Sequence, residues 1–325
     1  MSVSLDESQQ AFIDHPSYPK YAIAGPGSGK TETLLHLVID QIPHSTSMTV
    51  VMFNYAPCEK FKTRLTQLNG PYSPYTINIG TIHHIARGII AKASSVCPEG
   101  PSEQLKQAIQ ILAYVTAQHP DYNPYPDNSI LIIDEAQDLG DDNAKFMSYL
   151  IHWHKQGNRK LVFAGDPRQQ VKEGATFFLD TLRHAKMHHP NNILNLKYNY
   201  RHGERMCQFF NKYSQHFFPE FHYDQEARGD EGEIITHICE YRDHVRKCEF
   251  IREETRRYEP GSSFILHPSY IDTSAMRRIY EPLLRGSDHT RYMDSGKNGE
   301  GGTKIDEKKD YLCTSEKVKG LERDT

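Results

Sequence analysis

Ala24-Gly25-Pro26-Gly27-Ser28-Gly29-Lys30-Thr31 follows the apolar stretch Tyr21-Ala22-Ile23 and opens a segment in which Leu34, Leu35, Leu37, Val38 and Ile42 are spaced for one buried helical face. Strand, glycine-rich turn and helix in that order make a phosphate-binding loop. The glycines let backbone N–H groups converge on phosphate oxygens, and the helix N-terminus adds the positive end of its dipole. Lys30 is then placed for the β- and γ-phosphates and Thr31 for a Mg²⁺ ion. The strict pattern opens on glycine, and Ala24 stands there instead, with Gly29 and Lys30 intact. A chance match of this looseness arises in roughly one chain in fifty of this length on average residue usage. The strand before and the helix after it favour nucleotide binding.

Around this loop, short apolar runs alternate with helical stretches, the pattern of a parallel sheet covered on both faces. Strands are expected at residues 21–24, 49–53, 76–79, 130–133 and 161–164, and helices at 32–41, 59–68, 82–93, 103–118 and 142–154. The fold class is therefore α/β. Pro120, Pro124 and Pro126 mark a loop before the fourth strand. The polar stretch 186–192, with His188-His189-Pro190, reads as a domain boundary. This gives a first domain over 1–190, with a small helical insertion at about 90–128, and a second over 191–325. In the second domain, helices are expected near 204–216, 242–258 and 273–284 and strands near 233–237, 263–266 and 311–313. Residues 287–309 read as a flexible insertion rich in Gly, Lys, Asp and Glu.

Two further strand ends carry polar groups. Ile130-Leu131-Ile132-Ile133 runs into Asp134-Glu135-Ala136-Gln137. At the carboxyl end of a strand in an open α/β sheet, side chains face the ligand crevice. Asp134 suits Mg²⁺, and Glu135 suits orienting and deprotonating the attacking water. Leu161-Val162-Phe163-Ala164 runs into Gly165-Asp166-Pro167-Arg168-Gln169, where a neutral amide, Gln169, is placed to sense a γ-phosphate. Taken alone, an acidic pair after a strand is often a solvated loop start and a turn glutamine is ordinarily structural; the phosphate loop upstream raises both.

The 325 residues suffice for two domains, and the formal net charge of −4 neither demands nor excludes nucleic acid, which a motor holds in a local groove. No apolar run approaches the roughly 20 residues of a membrane span, so no membrane partner is expected. The N-terminus carries Asp6 and Glu7 and no apolar signal segment. Six scattered cysteines without a Cys-x-x-Cys pair suit reduced thiols, hence a cytoplasmic setting, or a nuclear one in a eukaryote. The pairs His83-His84, His152-x-His154 and His188-His189 lack third and fourth ligands, so a metal-binding role for them is disfavoured.

Eight segments in order resemble the signatures of UvrD/Rep-type superfamily 1 DNA helicases, and the resemblance covers nearly the whole chain. Leu5-Asp6-Glu7-Ser8-Gln9 resembles the motif whose glutamine recognises adenine, and Gly25 to Thr31 the phosphate loop. Phe53-Asn54 and Gly80-Thr81-Ile82-His83 resemble segments that touch single-stranded DNA. Asp134-Glu135-Ala136-Gln137 and Gly165-Asp166-Pro167-Arg168-Gln169 resemble motifs II and III, and Asn199-Tyr200-Arg201 and Lys319-Gly320-Leu321-Glu322 motifs IV and V.

The resemblance implies two RecA-like P-loop NTPase domains with parallel sheets flanked by helices, and ATP between them. Gln9 and Tyr200 would hold adenine, Arg201 would act as an arginine finger from the second domain, and Glu322 would contact the ribose or couple the domains. Residues 24–31 with Lys30 would bind the triphosphate. Phe53, Asn54, Thr81 and His83 would lie along the DNA. The implied activity is an ATP-dependent DNA helicase or translocase moving 3′ to 5′, stimulated by single-stranded DNA. Implied partners are that strand and a nuclease or a repair or replication protein.

Four departures stand out. The arginine-bearing motif VI is expected after motif V, but the sequence ends at Thr325, so the second domain reads as C-terminally incomplete. Arginine fingers are worth roughly 10³- to 10⁵-fold in rate. Lys172-Glu173 stand where motif III usually supplies stacking aromatics, and Glu32 stands where an arginine often sandwiches adenine. The motif spacing leaves little room for large accessory subdomains. The competing reading is a degenerate motor module that binds nucleotide or DNA within a larger complex without efficient turnover. A small P-loop kinase is disfavoured, because it leaves Asn199-Tyr200-Arg201 and Lys319-Gly320-Leu321-Glu322 unexplained.

Overall fold

The computed structural model describes residues 4–73, 76–93, 96–170, 175–231, 249–251, 253, 264–267, 290–292 and 310–314. The chain divides into two units, 1–233 and 234–325.

In the first unit, six parallel strands form one sheet in the order β3-β2-β4-β5-β1-β6. They are β1 (Lys20–Ala24), β2 (Met48–Met52), β3 (Ile77–Thr81), β4 (Ile130–Ile133), β5 (Lys160–Gly165) and β6 (Ile193–Leu196). Ladders such as Tyr21↔Phe163 and Tyr21↔Ile193 fix β1 between β5 and β6. β1, β2 and β4 are buried along their whole length, as in sheets covered on both faces.

Because side chains alternate across a strand, the strand residues divide between two cores. Ala22, Val50, Ile132, Val162 and Ala164 pack with α1 (Glu7–Asp14), α2 (Lys30–Gln41) and α3 (Tyr55–Asn69). Ile23, Val51, Ile133 and Phe163 pack with α4 (Ile82–Ala93), α5 (Pro101–Gln118), α6 (Asp141–His154) and α7 (Phe177–His188). The helical stretch expected as an insertion is α5, which packs in this second core through Leu105, Ala108, Ile109 and Leu112.

α1 was not expected from the sequence. Asp6 caps it, its carboxylate accepting from the N–H groups of Ser8 and Gln9 at 2.7 and 2.9 Å, and Gln9 Oε1 accepts from the Asp6 N–H at 3.1 Å. At its other end, the buried Lys20 ammonium donates to the Phe12 and Ile13 carbonyls at 3.2 and 2.6 Å, using carbonyls left over at a helix terminus.

The boundary expected at 190/191 falls between α7 and β6, inside the first unit. After β6 come β7 (Tyr198–Asn199), α8 (Glu204–Phe217) and β8 (Glu226–Ala227), with β7 and β8 pairing in parallel.

The second unit contains a parallel sheet β10-β11-β9, made of β9 (Phe264–His267), β10 (Thr290–Tyr292) and β11 (Asp310–Thr314). Strands were expected at the first and last of these places. β10 corrects the reading of 287–309 as a flexible insertion: Thr290 and Tyr292 are strand-favouring residues, and Thr290-Arg291-Tyr292 pairs with Asp310-Tyr311-Leu312. The elements expected near 233–237, 242–258 and 273–284 lie outside the described residues, save 249–251 and 253. Among the described residues, no helix is long and apolar enough to cross a membrane.

Candidate active site

The strand order puts the carboxyl ends of β4, β5 and β1 side by side. From β1 the chain enters the phosphate loop, where Gly27 and Gly29 take φ of 67° and 71°, the left-handed region that favours glycine. Gly29 is the N-cap of α2 and provides no side-chain cap, so the first-turn amides of the helix face the loop. The buried Ser28 hydroxyl has no hydrogen-bond partner. Unclaimed donors around a left-handed glycine turn fit a phosphate chain.

Lys30 crosses from the loop to the tip of β4, its ammonium 3.2 Å from Asp134 Oδ1 and 2.6 Å from Glu135 Oε1. Burial opposes its charge, but the two carboxylates more than offset this and hold its pKa above the ordinary lysine value. Burial pushes the Asp134 carboxyl upward, with Lys30 pulling the other way. Glu135 sits at φ 52°, unusual for a residue with a side chain, and such strain gathers at functional positions. Gln137 Nε2 donates to Glu135 Oε2 at 2.5 Å, and Gln137 Oε1 accepts from the Asp166 N–H at 3.0 Å, which ties the tips of β4 and β5 together.

At the β5 tip, the fully buried Asp166 carboxylate accepts from Gln169 Nε2 at 3.0 Å and from Arg168 Nε at 2.7 Å. Arg168 also reaches Ser214 Oγ at 3.3 Å and lies over the Tyr223 ring at 4.7 Å. The Tyr223 hydroxyl accepts from the Gly25 N–H at 2.7 Å, and burial pushes its pKa up to about 12. The sequence alone gives no individual role to Asp166, Arg168, Gln137 or Asn199 and carries no local signal for Tyr223.

The Asn199-Tyr200-Arg201 segment comes to the same loop. The Tyr200 N–H donates to the Gly27 carbonyl at 2.8 Å. A Cβ placed on Gly27 would meet Asn199 Oδ1 and, at 2.7 Å, Arg201 Cβ. Arg201 is exposed as a residue, yet its surroundings desolvate its charge enough to lower its pKa, with the Glu135 carboxylate pulling the other way. It was expected from the second domain and lies in the first unit, because β6 pairs with β1 and carries the following residues with it. Tyr200 is 41% exposed, and its hydroxyl donates to Asp6 Oδ2 at 2.7 Å.

Gln9 lies beside Gly29, where an added Cβ would come 2.5 Å from its Nε2 and 3.9 Å from Tyr200 Cδ2. Ala24 ends β1, Pro26 accepts a 3.4 Å hydrogen bond from Gln225 Nε2 at its carbonyl, and Thr31 is exposed in the first turn of α2. Glu32 faces away from this group toward Arg64 at 2.9 Å and His36 at 3.5 Å. The structure therefore brings together Gln9, residues 24–31, Asp134, Glu135, Gln169, Tyr200 and Arg201.

The expected DNA-contacting residues form a second group on the same edge of the sheet. Phe53 and Asn54 follow β2 and Thr81 ends β3, with Met52 paired to Thr81. His83 lies in the first turn of α4, and all four are half-buried. Glu322 and the rest of 319–322 lie outside the described residues, as do Lys172 and Glu173. Among the described residues, no cluster of His, Cys, Asp or Glu could by itself hold a metal ion. A Mg²⁺ ion here would be held by Thr31 and Asp134 together with a nucleotide's own oxygens, as P-loop sites hold it.

A phosphate loop on β1, an acidic pair on β4 and a sensor-like amide on β5 define a P-loop nucleotide-binding α/β protein. The AAA domain family matches residues 9–175, just over half of the chain, and the chain belongs to that family. No curated protein matches the chain.

Among solved structures, it is similar to the NS3-like helicase from Alongshan virus at 8% identity and TM-score 0.44, over 90% of this chain and 57% of that one. It is similar to the Escherichia coli DEAH/RHA helicase HrpB at 11% identity and TM-score 0.45, over 91% and 32%. A third likeness is to S. cerevisiae dbp5 in a complex that includes ADP, at 12% identity and TM-score 0.46, over 96% and 72%. The chain thus spans 57% and 32% of the first two structures.

Proposed function

We propose that this chain is the motor core of a UvrD/Rep-type superfamily 1 helicase, a single-stranded-DNA-stimulated ATPase that moves 3′ to 5′ along the strand. One observation carries the reading: Lys30, held by Asp134 and Glu135, lies in a phosphate loop that the Asn199-Tyr200-Arg201 segment also contacts. The motor nucleotide site is thereby assembled from separate parts of the sequence.

The chemistry follows from placement. Backbone N–H groups of 27–31 and the Lys30 ammonium bind the β- and γ-phosphates. Thr31 and Asp134 would hold a Mg²⁺ ion, which would supply charge neutralisation on the phosphate oxygens. Glu135, oriented by Gln137, positions a water in line with the γ-phosphorus and accepts its proton as the bond to the β–γ bridging oxygen breaks. Gln169 senses the γ-phosphate, and Arg201 stabilises the charge that develops on it. Tyr200 stacks on the base. A DNA strand passes over the tips of β2 and β3, touching Phe53, Asn54, Thr81 and His83. The second unit would serve as the second RecA-like lobe that such a motor requires.

The test is ATP turnover with and without single-stranded DNA, comparing wild type with Lys30→Ala and Glu135→Gln. We expect DNA-stimulated turnover, with each substitution lowering it at least 100-fold. Tight nucleotide binding without turnover in the wild type sinks the motor reading in favour of a binding module.

A further inference from the structure

We propose that the nucleotide site accepts purine and pyrimidine nucleoside triphosphates with little discrimination, because Gln9 is committed to the phosphate loop instead of the base. The proposal rests on the motor reading for the position of the nucleotide and deepens it by naming the substrate class.

Gln9 is 3% exposed, and both ends of its amide are engaged. Its Oε1 accepts from the Asp6 N–H at 3.1 Å, the reciprocal half of the α1 cap. Its Nε2 donates to the Ser28 carbonyl at 3.2 Å, inside the phosphate loop. An amide selects adenine by presenting one donor and one acceptor to the base edge together. Turning Gln9 outward to do so breaks the bond to Asp6 and the bond to Ser28. Two ordinary hydrogen bonds are worth on the order of 10- to 100-fold in an equilibrium, about what a bidentate contact to a base returns. The two effects offset each other, so little net preference for adenine remains.

The other groups near the base position are also blind to base identity. Tyr200 offers an aromatic face that is 41% exposed, while its hydroxyl is fixed by Asp6 Oδ2 at 2.7 Å and accepts from Arg228 Nη1 at 3.4 Å. Every base has a π-face, so stacking of this kind is sequence-tolerant. The Arg228 guanidinium lies over the Tyr198 ring at 3.4 Å and 5.9 Å from the Tyr200 ring centre. Glu32, at the start of α2, is paired with Arg64 and His36 and brings no guanidinium to sandwich the base.

The experiment uses the full chain with ATP, GTP, CTP and UTP. It measures kcat/KM for hydrolysis and calorimetric Kd for their non-hydrolysable analogues. We expect the four to agree within about 10-fold in both readouts. A preference for ATP of 100-fold or more over each of the others overturns the proposal and leaves the motor reading intact. Equal binding of the four with no turnover sinks the motor reading and supports this one, and no binding of any overturns both.

The variant Gln9→Ala adds a second arm, with its fold checked by the fluorescence of Trp153. Because Gln9 acts here through Ser28, we expect Kd to rise by a common factor of about 10 for all four. A rise confined to the adenine nucleotide overturns the proposal.

Discussion

Replacing Arg168 by methionine keeps most of the hydrocarbon stem and removes the guanidinium that meets Asp166 at 2.7 Å. The two side chains are 6% and 1% exposed, so the pair is buried. Removing one partner of a buried ion pair typically costs about 3–5 kcal/mol, because the remaining charge is left uncompensated. Asp166 would keep the Arg168 backbone N–H and Gln169 Nε2, both at 3.0 Å, which places the expected loss near the lower end, about 3 kcal/mol. A unit of this size loses roughly 2–4 °C of Tm per kcal/mol, so the melting temperature should fall by about 6–12 °C. Trp153 is the single tryptophan and lies on the buried face of α6, so its fluorescence reports unfolding of the first unit. Adding Asp166→Asn to Arg168→Met removes the stranded carboxylate and should restore part of the loss. A fall smaller than about 2 °C, or a double variant less stable than the single losses add up to, refutes the buried-pair argument.

Tyr223→Phe keeps the ring beneath Arg168 and deletes the acceptor for the buried Gly25 N–H; an orphaned amide costs about 1–3 kcal/mol, and a change in urea unfolding below about 0.5 kcal/mol would show that the contact contributes nothing. His154 is buried with Nδ1 donating to the Leu150 carbonyl at 2.8 Å, and burial first of all pushes its pKa down to about 4. Between about pH 6.5 and 4 the unfolded chain holds a proton on this residue that the folded chain does not. Stability should therefore fall as pH drops through that window, by about 1.4 kcal/mol per unit at most and about 3 kcal/mol in all; a His154→Phe variant that keeps the full slope excludes His154 as its source. Gly29→Ala forces a side chain into φ 71° and to within 2.5 Å of Gln9 Nε2; a left-handed residue costs about 1–2 kcal/mol, so nucleotide affinity should drop about 10-fold in calorimetry, and an unchanged affinity counts against the loop geometry.

The parts of this fold that were legible in the sequence are those whose signal is local. β1, the glycine turn and α2 announce themselves within about two dozen residues, because apolar run, glycines and helical periodicity are contiguous. Asp134 and Glu135 were legible for the same reason, standing where a buried strand stops. α1 escaped because its residues are mostly polar, although Asp6 and Gln9 spell a capping box at the required spacing. β6 escaped because it is short and its reason for existing is a ladder to β1 across some 170 residues, as in Tyr21↔Ile193. With β6 unseen, the polar His188-His189-Pro190 read as the end of a domain, when it is the turn from α7 into another strand of the same sheet.

That misplaced boundary has a mechanical consequence. Since β6 extends the sheet at the free side of β1, the chain leaving it runs back over the phosphate loop that β1 feeds. Tyr200 N–H donates to Gly27, Tyr223 accepts from Gly25, and Gln225 donates to Pro26, so the outer side of the loop is held by residues beyond 190. The inner side is held by Lys30 on Asp134 and Glu135, and the two sides are joined through Gln137, Asp166 and Arg168. Buried hydrogen bonds transmit displacement because breaking any one leaves a polar group unsatisfied. A pull on the 198–225 segment is thus felt at Gly25 and Gly27, and through Arg168 and Gln137 at the Glu135 carboxylate, to which the proposed mechanism gives the orienting of the attacking water.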